Sequence, residues 1–210
     1  MKKFNLFEQI ADNFDSHARQ HIPDYNLVIQ KTIDICDSNL IKQSSILDIG
    51  CATGAIVRGL SNLGFKNLYA VDSSQQMLDQ CPKNIATYYL SNQFPIIDIK
   101  FDAIICNWTL HFIKNKISYM KKIYDALKTG GFLILTEKTE NAGLALEKYH
   151  NFKRSQGVTE EEIINKANLL KNTMFINSVD WYLKKLHMLG FKKISIFHAT
   201  WCFTSLIAIK

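Results

Sequence analysis

The chain has 210 residues, 47% hydrophobic and 21% charged, a balance that suits one folded domain and excludes a disordered chain. Its five cysteines, Cys36, Cys51, Cys81, Cys106 and Cys202, form no C-x-x-C pair, so neither a bound metal such as zinc nor a disulfide framework is expected. Free thiols point to a reducing, cytoplasmic setting, and the sequence reads as having neither a signal peptide nor a membrane span.

The net charge of +6 comes from dispersed lysines, with arginine only at Arg19, Arg58 and Arg154. This reads as a solvated surface. A phosphate-bearing partner such as tRNA is the alternative that the charge raises, and it is not favoured.

In chain order, the first 44 residues read as helical, with segments over 6–16 and 24–36; Pro23 suits the start of the second. Residues 45–49 form an apolar run closed by Gly50, the pattern of a buried strand. A helix over 55–63 stops at Gly64. A strand over 67–71, a helix over 74–81 and a weaker strand over 85–90 come next. Then come a strong strand over 101–106, a helix over 117–127, the turn Gly130-Gly131 and a strand over 132–136. This alternation predicts an α/β domain whose parallel sheet is covered on both faces. Helices over 144–154, 159–172 and 178–189 are followed by Gly190 and by two β-rich runs, 192–198 and 201–209, close enough to form a hairpin.

The chemistry gathers at strand ends. Asp48-Ile49-Gly50-Cys51-Ala52-Thr53-Gly54 follows the first strand and opens a helix. Glycines there let a backbone approach a ligand closely. The loop lacks the second half of a dinucleotide fingerprint and the lysine of a phosphate loop; it fits D-x-G-x-G-x-G with Ala52 at the middle glycine. Asp72 ends the second strand, about 20 residues on, where a carboxylate accepts hydrogen bonds from ribose hydroxyls. Capping of the next helix falls equally well to Ser73 or Ser74. Asn92-Gln93 follows the third strand, within reach of an adenine edge. Asn107 ends the fourth strand, where it meets the ligand crevice, with His111 one turn further along.

Together the loop Asp48 to Gly54, the acid Asp72, the strand-end Asn107 and the stretch from Leu127 to Ile134 resemble, in order, a class I S-adenosylmethionine-dependent methyltransferase. The resemblance implies a Rossmann-like fold with sheet order 3-2-1-4-5-7-6 and an antiparallel strand 7. It implies one cofactor-binding domain over 1–210, with an N-terminal helical lid over 1–44 and a helical cap over 140–190.

Nearly the whole chain is similar to the carboxy-S-adenosylmethionine synthase subgroup, which moves carbon dioxide from prephenate onto the cofactor methyl in a tRNA wobble-uridine pathway. The similar stretches include Ile22-Pro23-Asp24-Tyr25, Asn107 to Phe112, His150 to Arg154, Leu170 to Met174 and Phe203 to Ala208. Carried over, the resemblance places Tyr25, Gly50, Cys51, Ala52, Asp72, Ser73, Asn92, Gln93 and Asn107 around the cofactor. The arginine that binds the added carboxylate in that subgroup aligns with Ala167, and the neighbouring Lys166 points about 100° away on a helix. The leading expectation is therefore methyl transfer to a small-molecule acceptor. His111, Tyr149 and His150 are the candidate bases. The alternatives are carboxy-S-adenosylmethionine synthesis, with Lys166 or Arg154 replacing the arginine, and a cofactor-binding module without catalysis. Apolar positions over 144–172 and the resemblance to a dimeric synthase also suggest a homodimer.

Overall fold

The computed structural model describes residues 10–140 and 142–210. Residues 6–9 of the first predicted helix lie outside the described residues. The described part continues through a 3-10 turn at Ala11–Asn13 into helix α1, Phe14–His21, five residues past the expected end. Helix α2 spans Tyr25–Asn39, not 24–36. Asp24 precedes it in the left-handed region at φ 58°, and His198 Nε2 lies 3.1 Å from its carboxylate. This contact to the far edge of the sheet fixes the entry to the helix, so Pro23 sits before the cap and not in the first turn.

The elements that follow are β1 Ser45–Ile49, α3 Ala55–Asn62, β2 Asn67–Asp72, α4 Gln75–Gln80, β3 Thr87–Leu90 and β4 Phe101–Asn107. Then come α5 Lys116–Ala126, β5 Leu127–Lys138, α6 Leu144–Ser155, α7 Glu160–Leu170, α8 Val179–Leu189, β6 Lys193–Thr200 and β7 Phe203–Ile209. The strands form one seven-stranded sheet in the order β3-β2-β1-β4-β5-β7-β6. The first five run parallel, and β7 pairs antiparallel with both β5 and β6.

Strand β5 begins at Leu127, earlier than the sequence suggested, and runs through Gly130-Gly131. Leu127 pairs with Phe101, and the register then shifts before Ala103 pairs with Phe132. A Cβ at Gly131 would lie 2.9 Å from Asp102 O and 3.1 Å from Phe101 O, so the irregular pairing requires a residue without one.

Successive strand residues feed two different cores. Leu47, Ile49, Ile104, Cys106, Leu133 and Leu135 pack on one face, against Met120 and Ile123 of α5 and Tyr182 and Leu186 of α8. Ile46, Ala103, Ile105 and Ile134 pack on the other, against Ile33 and Cys36 of α2 and Ile56, Val57 and Leu60 of α3. This period-two partition explains why the strands read as continuous apolar runs: both faces are covered. All five cysteines are buried, and none forms a disulfide among the described residues. Among the described residues, no helix is long and apolar enough to cross a membrane.

The chain order reverses between β1 and β4. Loops leaving their carboxyl ends diverge there, and in open α/β sheets such a point leaves a crevice for a ligand.

Candidate cofactor site

A cavity of about 390 Å³ opens at that crevice, within the range typical of ligand sites. Its floor is the turn after β1. Gly50 and Cys51 donate their backbone N–H groups to Val71 O, at 2.8 and 3.1 Å, folding the turn back onto the end of β2. Gly50 has φ +71°, which favours glycine. A Cβ there would meet Thr109 Oγ1 at 2.1 Å. The sequence attributed this glycine to ligand approach; it lines the cavity, and it also makes room for Thr109, whose hydroxyl bonds to Ile49 O and Asn107 O.

Ala52 is also left-handed, at φ +48°, a conformation an L-residue adopts at a cost of roughly 1 kcal/mol. That turn aims its N–H at Asp72 Oδ2, 2.9 Å away, while Ser74 N donates to Oδ1 at 2.9 Å. Ser74 caps α4 through Met77 N, so Asp72 is not the cap. Burial raises the Asp72 carboxyl against the opposing pull of these N–H groups.

Asp48 is 2% exposed, and its Oδ2 has no hydrogen-bond partner among the described residues. Desolvation, and then the neighbouring Asp72 charge, raise its carboxyl from the usual range to about 7. Asn107 is 5% exposed; Thr32 of α2 accepts from its Nδ2 at 3.1 Å, and its Oδ1 has no partner among the described residues. Buried polar atoms normally find a partner. Two orphaned acceptors on one cavity wall fit a ligand that brings donors, and a carboxylate beside them fits one that is positively charged. S-adenosylmethionine is both.

Of the residues expected around the cofactor, Tyr25, Asp48, Gly50, Cys51, Ala52, Asp72, Ser73, Asn92 and Asn107 line this cavity. Gly54 and Gln93 do not. Gly54 is left-handed at the start of α3, where a Cβ would press on Cys81 Sγ and Pro82. The Gln93 side chain is exposed, and Ser91 lines the wall in that loop instead. Tyr25 stacks on Trp108, with ring centroids 4.9 Å apart. Phe14, Ile22, Leu169 and Thr173 close the cavity from the helical side; the resemblance covers the stretches holding Phe14, Ile22 and Thr173 but gave none of them a cofactor role, and nothing marked Leu169, because apolar helix positions look alike in sequence.

None of the three candidate bases lines the cavity. His111 is buried, with Nδ1 3.0 Å from Glu137 Oε2; the same carboxylate accepts from Leu110 N and Tyr182 OH. That network holds the turn after β4 against β5 and α8. Tyr149 is buried, donates to His21 O at 3.1 Å and packs edge-on against Phe203. His150 is partly exposed on the same helix. Arg154 pairs with Glu160 at the surface, and Lys166 contacts His17 outside the cavity wall. No lysine, arginine or histidine lines the cavity among the described residues.

A methyltransferase-domain family model matches residues 47–135. Over 97% of its length, and 83% of the relative's, the chain is 30% identical to a carboxy-S-adenosyl-L-methionine synthase of Yersinia pestis. Among solved structures, an S-adenosylmethionine-dependent methyltransferase from Thermotoga maritima superposes with a TM-score of 0.69, at 16% identity over 99% of both chains. The magnesium protoporphyrin IX methyltransferase of Synechocystis, solved with bound S-adenosylhomocysteine, does so at 0.63, with 18% identity over 97% of this chain and 99% of that one. The chain therefore belongs to the class I S-adenosylmethionine-dependent methyltransferases and is an enzyme that uses S-adenosylmethionine as its cofactor.

Proposed function

We propose that this methyltransferase transfers the cofactor's own methyl group to a small-molecule acceptor. The observation that carries the reading is the cavity wall: two carboxylates, Asp48 and Asp72, and no basic side chain among the described residues. Such a wall suits a cation and leaves a carboxylate added to the methyl group with no buried partner. An unpaired buried charge of that kind costs about 3–5 kcal/mol.

The cofactor supplies an electrophilic methyl on a sulfonium. The chain supplies position. In this reading Asp72 holds the ribose hydroxyls, while Asp48 Oδ2 and Asn107 Oδ1 accept from the amino-acid end. Asn92 and Ser73 flank the adenosine, and Tyr25 and Trp108 wall the acceptor side. In-line placement of a nucleophile provides much of the rate in such displacements. An acceptor that attacks through a neutral nitrogen, or that ionises before binding, needs no histidine in the wall.

Helices α1, α2 and α7 act as the lid, through Phe14, Ile29 and Leu169, over a cavity whose volume suits a small molecule. The test is to supply S-adenosylmethionine and fractionated cell extract and to measure S-adenosylhomocysteine. Formation driven by the low-molecular-weight fraction supports the reading; formation driven only by the tRNA fraction overturns it.

Carboxy-S-adenosylmethionine synthesis is the second reading, favoured by the 30% identity to those synthases. Against it stands Ala167 at the arginine position, with Lys166 and Arg154 engaged elsewhere. Incubation with S-adenosylmethionine and prephenate decides it: a cofactor heavier by carbon dioxide establishes the second reading.

A further inference from the structure

A group of basic side chains gathers behind the lid, with Glu162 the one acid among the described residues that line its pocket. Phe14 of α1 and Ile22 just after it face the cofactor cavity, while His17, Gln20 and His21 line a second cavity of about 310 Å³ with Asn165, Glu162 and Lys166 of α7. Lys166 Nζ contacts His17 Nε2, and the rings of His17 and His21 are 4.2 Å apart. Behind His21 lies Tyr149, whose hydroxyl donates to His21 O. The ammonium groups of Lys153 and Lys138 sit 4.2 and 4.9 Å from the centre of the Tyr149 ring.

Lys153 is only 5% exposed. Among the described residues, Lys138, Lys153 and Lys166 form no salt bridge. His21 is 8% exposed, and its Nδ1 has no hydrogen-bond partner among the described residues. Buried cations are ordinarily paired, so Lys166 in this pocket, with Lys153 and Lys138 behind it and no salt bridge to any of the three among the described residues, makes an arrangement that a bound anion completes.

We propose that this second pocket binds a small multivalent oxyanion, of the phosphate or dicarboxylate class, through Lys166, His17 and His21, with Lys153 and Lys138 supplying charge from behind. The site is separate from the cofactor cavity and does not depend on how the methyl group is used.

The electrostatics agree. Desolvation first, and then Lys153 and Lys138, lower the Lys166 ammonium to about 7; desolvation and Lys138 lower Lys153 to about 8. Burial and Lys166 lower His17 to about 4 and His21 to about 3. The other titratable groups facing the cluster are Glu162 beside His17, Cys202 beside Lys138 and Lys153, and His150 beside Lys153. Without an anion the cluster sheds protons near neutral pH; with one it takes them up.

The test is thermal unfolding and calorimetry of the full chain at pH 7 with inorganic phosphate or succinate, each against sodium chloride at equal ionic strength. The expected result is a rise in Tm beyond the chloride control, with proton uptake on binding. Whichever anion stabilises more identifies the class. Lys166→Met should weaken binding at least about tenfold while leaving the anion-free protein as stable as wild type or more so, since it removes repulsion. Equal shifts in all three salts, or full stabilisation retained in Lys166→Met, would overturn the proposal.

Discussion

Asp72 accepts a 2.9 Å hydrogen bond from the backbone N–H of Ala52, so the carboxylate that ends β2 also fixes the turn that ends β1. The two halves of the cofactor site are thus one hydrogen-bonded unit. Ala52 adopts a left-handed conformation to make this bond. Ala52→Gly should therefore stabilise the cofactor-free protein by up to about 1 kcal/mol, measured by chemical denaturation. Asp72→Asn keeps the shape of the side chain but loses charge; it should weaken S-adenosylhomocysteine binding by about 1–3 kcal/mol in calorimetry. Unchanged affinity would remove Asp72 from the ribose.

Asp48 gives a pH dependence with a definite sign. Its folded-state value is raised from 3.8 to about 7, so the folded protein holds this proton more tightly than the unfolded chain. The stability that results is complete below about pH 4 and is lost as the pH rises to about 7. Asp48→Asn should remove that loss and stabilise the cofactor-free enzyme at pH 8 by about 2–4 kcal/mol.

The same carboxylate should favour a cationic cofactor when ionised. S-adenosylmethionine affinity is then expected to rise up to about tenfold between pH 6 and pH 8. Most of that slope should vanish in Asp48→Asn. A slope preserved in the variant would place the titration elsewhere.

Gly50 and Thr109 form a testable pair. Gly50→Ala places a methyl on Thr109 Oγ1 in a backbone region that L-residues avoid, and it should cost about 2 kcal/mol or more in unfolding free energy. Thr109→Ala on the same background should recover part of that loss, because it removes the overlap but not the backbone strain. Additive effects of the two changes would contradict the contact.

Glu137 is expected to matter for stability and not for catalysis. Its carboxylate satisfies Leu110 N, Tyr182 OH and His111 Nδ1 in a buried setting. Glu137→Ala should destabilise the fold by about 3–5 kcal/mol. His111→Ala should lower Tm and leave the pH profile of turnover in place. A lost pH limb in that variant would return His111 to a catalytic role.

Much of this architecture was legible in the sequence, and the reasons are physical. The runs at 45–49, 67–71 and 101–106 are apolar because both faces of each strand are covered, and Asp48, Asp72 and Asn107 interrupt or end them because strand ends meet the crevice. The resemblance supplied the sheet order, which no local pattern encodes. The long start of β5 was not visible, because Gly130-Gly131 reads as a turn and only the register shift opposite Phe101 makes it a strand. A second demand on Gly50 was hidden as well, since Thr109 lies far along the chain. His111 was singled out for its residue type; the Glu137 that occupies it sits inside a strand, where nothing in the spacing announces the contact.

The most direct test is the mass spectrum of the adenosyl ligand produced when the purified enzyme turns over S-adenosylmethionine with prephenate and a small-metabolite extract. Methyl transfer in a cavity walled by Asp48 and Asp72 predicts S-adenosylhomocysteine and no carboxylated cofactor. Accumulation of S-adenosylmethionine carrying an added carbon dioxide would contradict the account.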